Sequence, residues 1–322
     1  MTEEFKQKFD YIRNELSSKF EKEMNVIDKD FLINEKYERD KPGVKHFRNI
    51  EGDTLNEVYH KSIIEALKYG RINYIERGSC AGQHRIEFDE ANIMIYHPTA
   101  TKPIAPTSRP GITVSTNDEN IEEYFQNYLI EGVLKDREHY TYGGWIVGIP
   151  KTANGPKGGK KILPLTHKSI PRGTRFNQLE WCLNYLSKSY DNNHAYITIG
   201  CAEGLQRYDW PYTEETKDTE RGTTECLRQI LFKVRDNRLN VKTVWRSWDL
   251  ISGFPENLGG MIRLMEHSVE YINAVKKDHL PELKPGILKA TSDGLHIYEE
   301  KLDIAKLWAG LSDSKKDKEN SL

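Results

Sequence analysis

Thr224-Glu225-Cys226-Leu227 is followed, twenty positions after the cysteine, by Arg246-Ser247-Trp248-Asp249-Leu250-Ile251-Ser252-Gly253-Phe254-Pro255-Glu256-Asn257, and the reading of this chain turns on that stretch. Between the two halves, the run Cys226 to Val234 leads into Arg235-Asp236-Asn237-Arg238, a hairpin-like turn signal. Leu239 to Trp245 then alternates, with Leu239, Val241, Thr243 and Trp245 on one side, and predicts a strand. Beyond Asn257, Leu258 to Val275 predicts an apolar helix opening with Gly259-Gly260. Leu295-His296-Ile297-Tyr298 predicts a short strand.

Working outward, Phe5, Phe9, Ile12, Leu16 and Phe20 recur at helical spacing over residues 3–23. They predict an amphipathic helix docked on the body or on a partner, followed by a polar extension to about Asp53. A helix is expected from Thr54, as N-cap, to Tyr69, with Gly70 just past its end. Ile86 to Tyr96 reads as a strand, residues 98–119 as a Pro-, Thr- and Ser-rich loop, and Glu119 to Leu134 as a helix. Lys151 to Lys161 is a Gly- and Lys-rich loop without the ending of a phosphate-binding P-loop. Asn177 to Ser189 predicts a helix, Ala195 to Gly200 a strand, and residues 203–224 a polar surface connection. Strands and helices mix without regular βαβ alternation, which indicates an α+β fold. Three parts follow: an amino-terminal helical extension over 1–53, a catalytic domain over 54–310, and a charged, disordered tail over 311–322.

Composition narrows the function. Hydrophobic residues are 37% and charged residues 30% of 322, the balance of a globular enzyme with a sizeable core. A formal net charge of -2 supplies no global basic field, so a nucleic acid polymer is not the expected partner. No apolar run approaches a membrane span, and the charged first residues lack the apolar core of a signal peptide, so cytoplasmic residence is the default. The 4 cysteines have no CxxC spacing, which argues against a zinc site or a disulfide framework.

The cysteine, the Arg-Ser-x-Asp run, the following Gly-x-Pro-x-Asn and the later His-x-Tyr agree in order, identity and interval with one family. The chain resembles the thymidylate synthase and pyrimidine nucleotide hydroxymethylase family, in the manner of its divergent archaeal-type members. Weaker similarity lies in Tyr140-Thr141-Tyr142-Gly143, in Asn177-Gln178-Leu179 as the helix start ahead of the family's central strand, and in Glu76-Arg77-Gly78 as its amino-terminal phosphate loop. The resemblance covers residues 54–303. It implies a mixed sheet with helices packed on one side and a homodimer formed through sheet faces. It further implies a pyrimidine nucleoside monophosphate as substrate and 5,10-methylenetetrahydrofolate as one-carbon donor.

The chemistry shows why such residues are needed. Carbon 5 of a pyrimidine is a poor nucleophile until a thiolate adds at carbon 6 and creates an enolate-like species. The resemblance makes Cys226 that thiolate and Arg246 the guanidinium that favours its charged form and contacts the phosphate, with Ser247 beside it. Asn257 offers one carbonyl and one amide to a uracil edge, where cytosine-specific relatives carry Asp. By the same resemblance, Asp249 is expected to hold the folate ring with Gly253, His296 and Tyr298 to bond the sugar hydroxyl, and Tyr142 to serve proton removal at carbon 5 through water, with Glu123 the candidate catalytic glutamate. Arg77, with Arg85 or Arg207, is the candidate for phosphate.

Other readings of the same residues stay open. A lone cysteine beside leucine and isoleucine is usually a small core residue, and it is the intervals to Arg246, Gly253, Pro255 and Asn257 that favour a nucleophile. Asn257 also suits the cap of a helix starting at Leu258, His296 an edge-strand histidine, Tyr298 a core aromatic and Glu123 a solvated helix charge. The sequence departs from the family at Asn193-His194, where a pair of phosphate-binding arginines is expected, and at Leu227, where many members have His. Three activities are therefore carried forward: carbon-5 methylation of a uracil nucleotide, hydroxymethylation of dUMP, CMP or dCMP, and nucleotide binding without catalysis.

Overall fold

The computed structural model describes residues 6–15, 46–76, 80–107, 112, 115–131, 133–134, 140–149, 161–162, 166–167, 170–209 and 224–311. The expectations for Arg77, for the Gly- and Lys-rich loop up to Lys160, for most of the polar connection before Thr224 and for the charged tail lie outside them.

An eight-stranded sheet organises the chain. Its strands are β1 (Phe47–Gly52), β2 (Arg71–Tyr74), β3 (His84–Ile95), β8 (Tyr196–Thr198), β9 (Leu227–Arg235), β10 (Arg238–Trp245), β11 (Trp248–Asp249) and β12 (Lys284–Tyr298). Two small ribbons stand apart, β4 (Val133–Leu134) with β5 (Lys161–Ile162) and β6 (Thr166–His167) with β7 (Ile170–Pro171). The main order is β1-β3-β12-β10-β9-β8, with β2 beside β3 and β11 beside β12. Three neighbouring pairs run parallel, β1 with β3, β10 with β12 and β11 with β12, and parallel neighbours need a crossover. Helices α2 (Leu55–Tyr69) and α6 (Gly253–Val275) supply these crossovers and pack on each other. Helix α5 (Gln178–Leu186) joins α6, so a helical layer covers one sheet face. The opposite face carries partly exposed Gln229, Leu231, Lys233, Val244 and Thr291. The fold is the α+β arrangement expected, with a mixed sheet.

Local chemistry explains most element boundaries. Thr54 caps α2 by accepting from the Glu57 N–H at 3.3 Å, and Asn177 caps α5 by accepting from Glu180 N–H at 3.0 Å. The β9–β10 turn holds Asp236 at φ 50° and Asn237 at φ 55°, the paired left-handed geometry of a tight hairpin that Asn and Asp tolerate. A helix over residues 6–15, α1, docks on the body: Phe9 and Ile12 are buried and Arg13 Nη2 donates to the Gly70 carbonyl at 3.1 Å.

Five expectations need correction. Phe47–Gly52 pairs in parallel with β3, so the folded body begins before Thr54; the polar side of this edge strand disguised it. The helix expected over Glu119 to Leu134 is α3 (Asp118–Tyr124), continues as π-helical turns over Phe125–Ile130 and gives way to β4. The strand at Leu295–Tyr298 is the end of the 15-residue β12, whose outward Lys289, Thr291 and Asp293 hid its pattern. Among the described residues, the strand after α5, β8, pairs only with β9 and is the outermost of the sheet, not a central one. Helix α6 starts at Gly253, not Leu258: Asp249 Oδ1 takes the N–H groups of Ile251 (3.0 Å) and Ser252 (3.3 Å), and Pro255 is tolerated in a first turn. Asn257 therefore lies within the helix and is not its cap.

Gly259 and Gly260 let α3 approach α6. An added Cβ would stand 2.4 Å from Ile121 Cδ1 at Gly259, and 2.5 Å from Tyr124 Cδ1 at Gly260. Gly260→Ala is expected to destabilise the protein by about 1–3 kcal/mol from overpacking, partly offset by ~1 kcal/mol of helix propensity, in urea denaturation. It should also weaken ligand binding near Tyr124.

Candidate active site

The hairpin explains the interval between cysteine and arginine. Because β9 and β10 are antiparallel, the residue before one strand meets the residue after the other, and the Arg246 N–H donates to the Cys226 carbonyl at 2.9 Å. The register shifts between Val244 and Trp245, which leaves Arg228 as a bulge just past the cysteine. The Arg246 guanidinium folds back on the same segment, donating from Nε to the Glu225 carbonyl (3.2 Å) and from Nη2 to the Thr224 carbonyl (2.7 Å). The Glu225 side chain goes into the core, where Trp145 Nε1 donates to it at 3.0 Å.

Cys226 is partly exposed and opens on a cavity of about 400 Å³. Tyr142, Ser247, Asp249, Gly253 and Asn257 line the same cavity, and Glu123 reaches it from α3. Seven of the residues singled out from sequence thus share one space. Arg246 lies behind Cys226, outside the lining. His296 and Tyr298 stand alongside: Asp249 pairs with His296 across β11 and β12, and the His296 and Tyr298 rings meet edge to face at 4.5 Å.

Burial shifts the surrounding groups towards their neutral forms. It raises the phenols of Tyr140 and Tyr142 above their ordinary range, and the nearby Cys226 sulfur pushes the same way. Their hydroxyl oxygens accept the N–H groups of Cys226 and Leu227, each at 3.3 Å. Burial also raises the Asp249 carboxyl, against the backbone N–H groups that its oxygen accepts. The His296 imidazole is pushed down to about 4, first by burial and then by the charges of Arg85 and Arg246. Its Nδ1–H donates to the Gly294 carbonyl at 2.8 Å, so Nε2 carries the lone pair, and that buried nitrogen has no hydrogen-bond partner among the described residues.

Arg85 lies across from Tyr298 in the sheet, with its Nε 2.6 Å from Glu87 Oε2. Its charge and that of Arg246 both act on His296, but Arg85 does not line the cavity. The Arg207 side chain, like Arg77, is outside the described residues. Asn193 and His194 sit by β8, where His194 packs on Tyr185.

Sequence reading missed an aromatic wall. Tyr124 and Tyr128 stack at 5.2 Å and 18°, Tyr128 meets Tyr142 edge to face at 5.2 Å, and Trp248 stacks on Trp245 at 4.3 Å and 10°. Asn120, Tyr124 and Asn127 follow helical spacing, a polar and aromatic stripe that marks one face of α3 but not what it faces. Trp248 donates from Nε1 to Asn257 Oδ1 at 2.9 Å. Among the described residues no group of His, Cys, Asp and Glu is arranged to hold a metal, and no helix is long and apolar enough to cross a membrane.

Comparison with known proteins agrees with the resemblance. No family model matches the chain. A Methanosarcina mazei protein named "Putative thymidylate synthase" is 22% identical over 259 residues, 80% of this chain and 93% of that protein. One of the same name from Methanococcoides burtonii is 24% identical over 265 residues, 82% of this chain and 96% of that protein. Among solved structures, a thermostable thymidylate synthase A from Bacillus subtilis is matched with a TM-score of 0.48 at 13% identity, over 80% of this chain and 84% of that one. The likeness to archaeal-type members read over residues 54–303 agrees with similarity over four-fifths of the sequence.

His296 generates a pH prediction. Unfolded it titrates near 6.5 and folded near 4, so between those values the unfolded chain binds the extra proton. The contribution is fully present above pH 6.5 and is lost as pH falls towards 4, by about 3 kcal/mol. Urea denaturation across that range should show a steeper acid loss for the wild type than for His296→Gln.

Proposed function

We propose that this protein is a one-carbon transferase that methylates a uracil nucleotide at carbon 5, converting dUMP to dTMP with 5,10-methylenetetrahydrofolate through a Cys226 adduct at carbon 6. The observation that carries this reading is the convergence of Cys226, Asp249 and Asn257 on one cavity backed by Arg246. Similarity over four-fifths of the chain to proteins named "Putative thymidylate synthase" supports it.

Each side chain then has work suited to its surroundings. Cys226, in the thiolate form, adds to carbon 6 and moves electron density to carbon 5, which attacks the one-carbon unit. Loss of the carbon-5 proton, with Tyr142 and Glu123 ordering the water that takes it, would release the folate nitrogen from the one-carbon unit and leave a methylene on carbon 5; hydride addition to that methylene would expel Cys226 and restore the ring. Asn257 pairs with the uracil edge. Arg246 and Arg85 bind phosphate with Ser247, in place of the arginine pair absent at Asn193-His194 and beside whatever Arg77 adds. The Nε2 lone pair of His296 accepts from the sugar hydroxyl with Tyr298 next to it, a role open only to a neutral imidazole.

The residues present also fit a pterin. Tyrosine faces offer a flat wall, and the Asp249 carboxylate can accept ring N–H groups beside Gly253. When bound, the folate supplies the one-carbon unit and, for methylation, the hydride. The reading includes a cytoplasmic homodimer that covers the sheet face left open by the helices.

Release of tritium from carbon 5 of labelled nucleotides tests the adduct. The wild type should release it from dUMP, and Cys226→Ala should lower the rate by at least about 10³-fold, as loss of a covalent nucleophile does. Release from none of the uridine or cytidine monophosphates, ribo or deoxy, would sink the enzymatic reading in favour of nucleotide binding alone.

A second readout separates the two transfers. Dihydrofolate should form in step with tritium release if a methyl group is made. Tritium release without dihydrofolate would identify hydroxymethylation instead.

A further inference from the structure

We propose that Trp248 selects uracil over cytosine by locking the direction in which the Asn257 amide faces the base. The inference rests on Asn257 reading the pyrimidine edge, as above, and adds what determines the sense of that reading.

A side-chain amide is a reversible reader. Held one way, its carbonyl accepts the N3–H of uracil while its NH2 donates to O4. Turned over about the Cβ–Cγ bond, the NH2 donates to N3 of cytosine while the carbonyl accepts from the exocyclic amine. The terminal torsion of asparagine is broad and nearly two-fold, so the residue alone chooses neither. A fixed neighbour has to choose.

Trp248 is such a neighbour. Its indole N–H only donates, and it points at Asn257 Oδ1 from 2.9 Å. Reversal of the amide would set the NH2 against the indole N–H and leave a buried donor unpaired. The indole cannot swing away to follow a reversed amide. It is 2% exposed, stacks on Trp245 at 4.3 Å and 10°, and packs against Phe254 at 4.6 Å. Trp245 is itself anchored by donation from its Nε1 to Thr243 Oγ1 at 2.8 Å. Asn257 has little freedom either, because its backbone lies inside α6 and its amide is beside the Tyr124 hydroxyl. Both Trp248 and Asn257 line the cavity onto which Cys226 opens. Trp248 is thus a positioning residue, acting on the base through Asn257.

Trp248→Phe keeps a ring in the stack and removes the N–H. Binding of dUMP and dCMP to wild type and variant is measured by calorimetry, and kcat/KM for tritium release is measured for both nucleotides. The wild type should prefer uracil by at least about 10-fold in both readouts, and the variant should lose about 10-fold of that ratio, mainly by accepting the cytosine nucleotide better. A merely structural role would weaken both nucleotides alike and leave the ratio in place. If Trp248→Phe does not fold, replacing Trp248 by benzothienylalanine, which keeps the bicyclic outline without the N–H, gives the same comparison. An unchanged ratio in a folded variant, with the wild type active on dUMP, overturns this inference and leaves the proposed function standing. A wild type that binds dUMP and dCMP equally also overturns it alone, and one that binds neither overturns the function and this inference together.

Discussion

The hydrogen bond from the Arg246 N–H to the Cys226 carbonyl depends on one constraint, the register of the β9–β10 hairpin, and the rest of the site depends on it too. Two left-handed residues at the turn, Asp236 and Asn237, reverse the chain at the midpoint of the interval. Cysteine and arginine, twenty positions apart, become neighbours at the open end. A one-residue slip would turn every side chain of one strand to the other face, so the buried Leu239, Val241 and Trp245 on one side hold the register. The bulge at Arg228 falls just past Cys226, the residue before the strand that faces the cavity.

Around that pair the protein builds a space with few free charges. Burial keeps the phenols of Tyr140 and Tyr142 protonated and the His296 imidazole neutral. Such groups position a substrate through hydrogen bonds without placing an unpaired charge in a low-dielectric site. Two cations remain close by, Arg246 behind the cysteine and Arg85 across the sheet.

The aromatic wall reaches the same space by another route. Gly259 and Gly260 lie in α6, and only residues without a Cβ allow α3 to come close enough for Tyr124 to line the cavity. The helix that carries the crossover between β10 and β12 thus also sets how near the second wall stands. Stability of that packing and shape of the cavity are linked through the same two glycines.

Much of the fold and the centre of the site could be read without coordinates, because those features are local. Caps at Thr54 and Asn177, the Asp236-Asn237 turn, the alternation of Leu239 to Trp245 and the offsets from Cys226 to Asn257 each involve a few neighbouring residues. Boundaries failed where tertiary context outweighed local pattern. Residues 47–52 look polar because they lie on an edge strand, and β12 was concealed by its solvent-facing side chains. The partnerships that give the site its character were illegible for a deeper reason. The stack of Tyr124 on Tyr128 forms within one stretch, but what it faces, the orphaned Nε2 of His296 and the approach of Arg85 all depend on contacts between distant segments. The sequence by itself determined which residue types are available and the hairpin that pairs Cys226 with Arg246. The tertiary structure decided which way Asn257 points and which groups lose their water, because orientation and desolvation belong to packed surfaces and have no period along the chain.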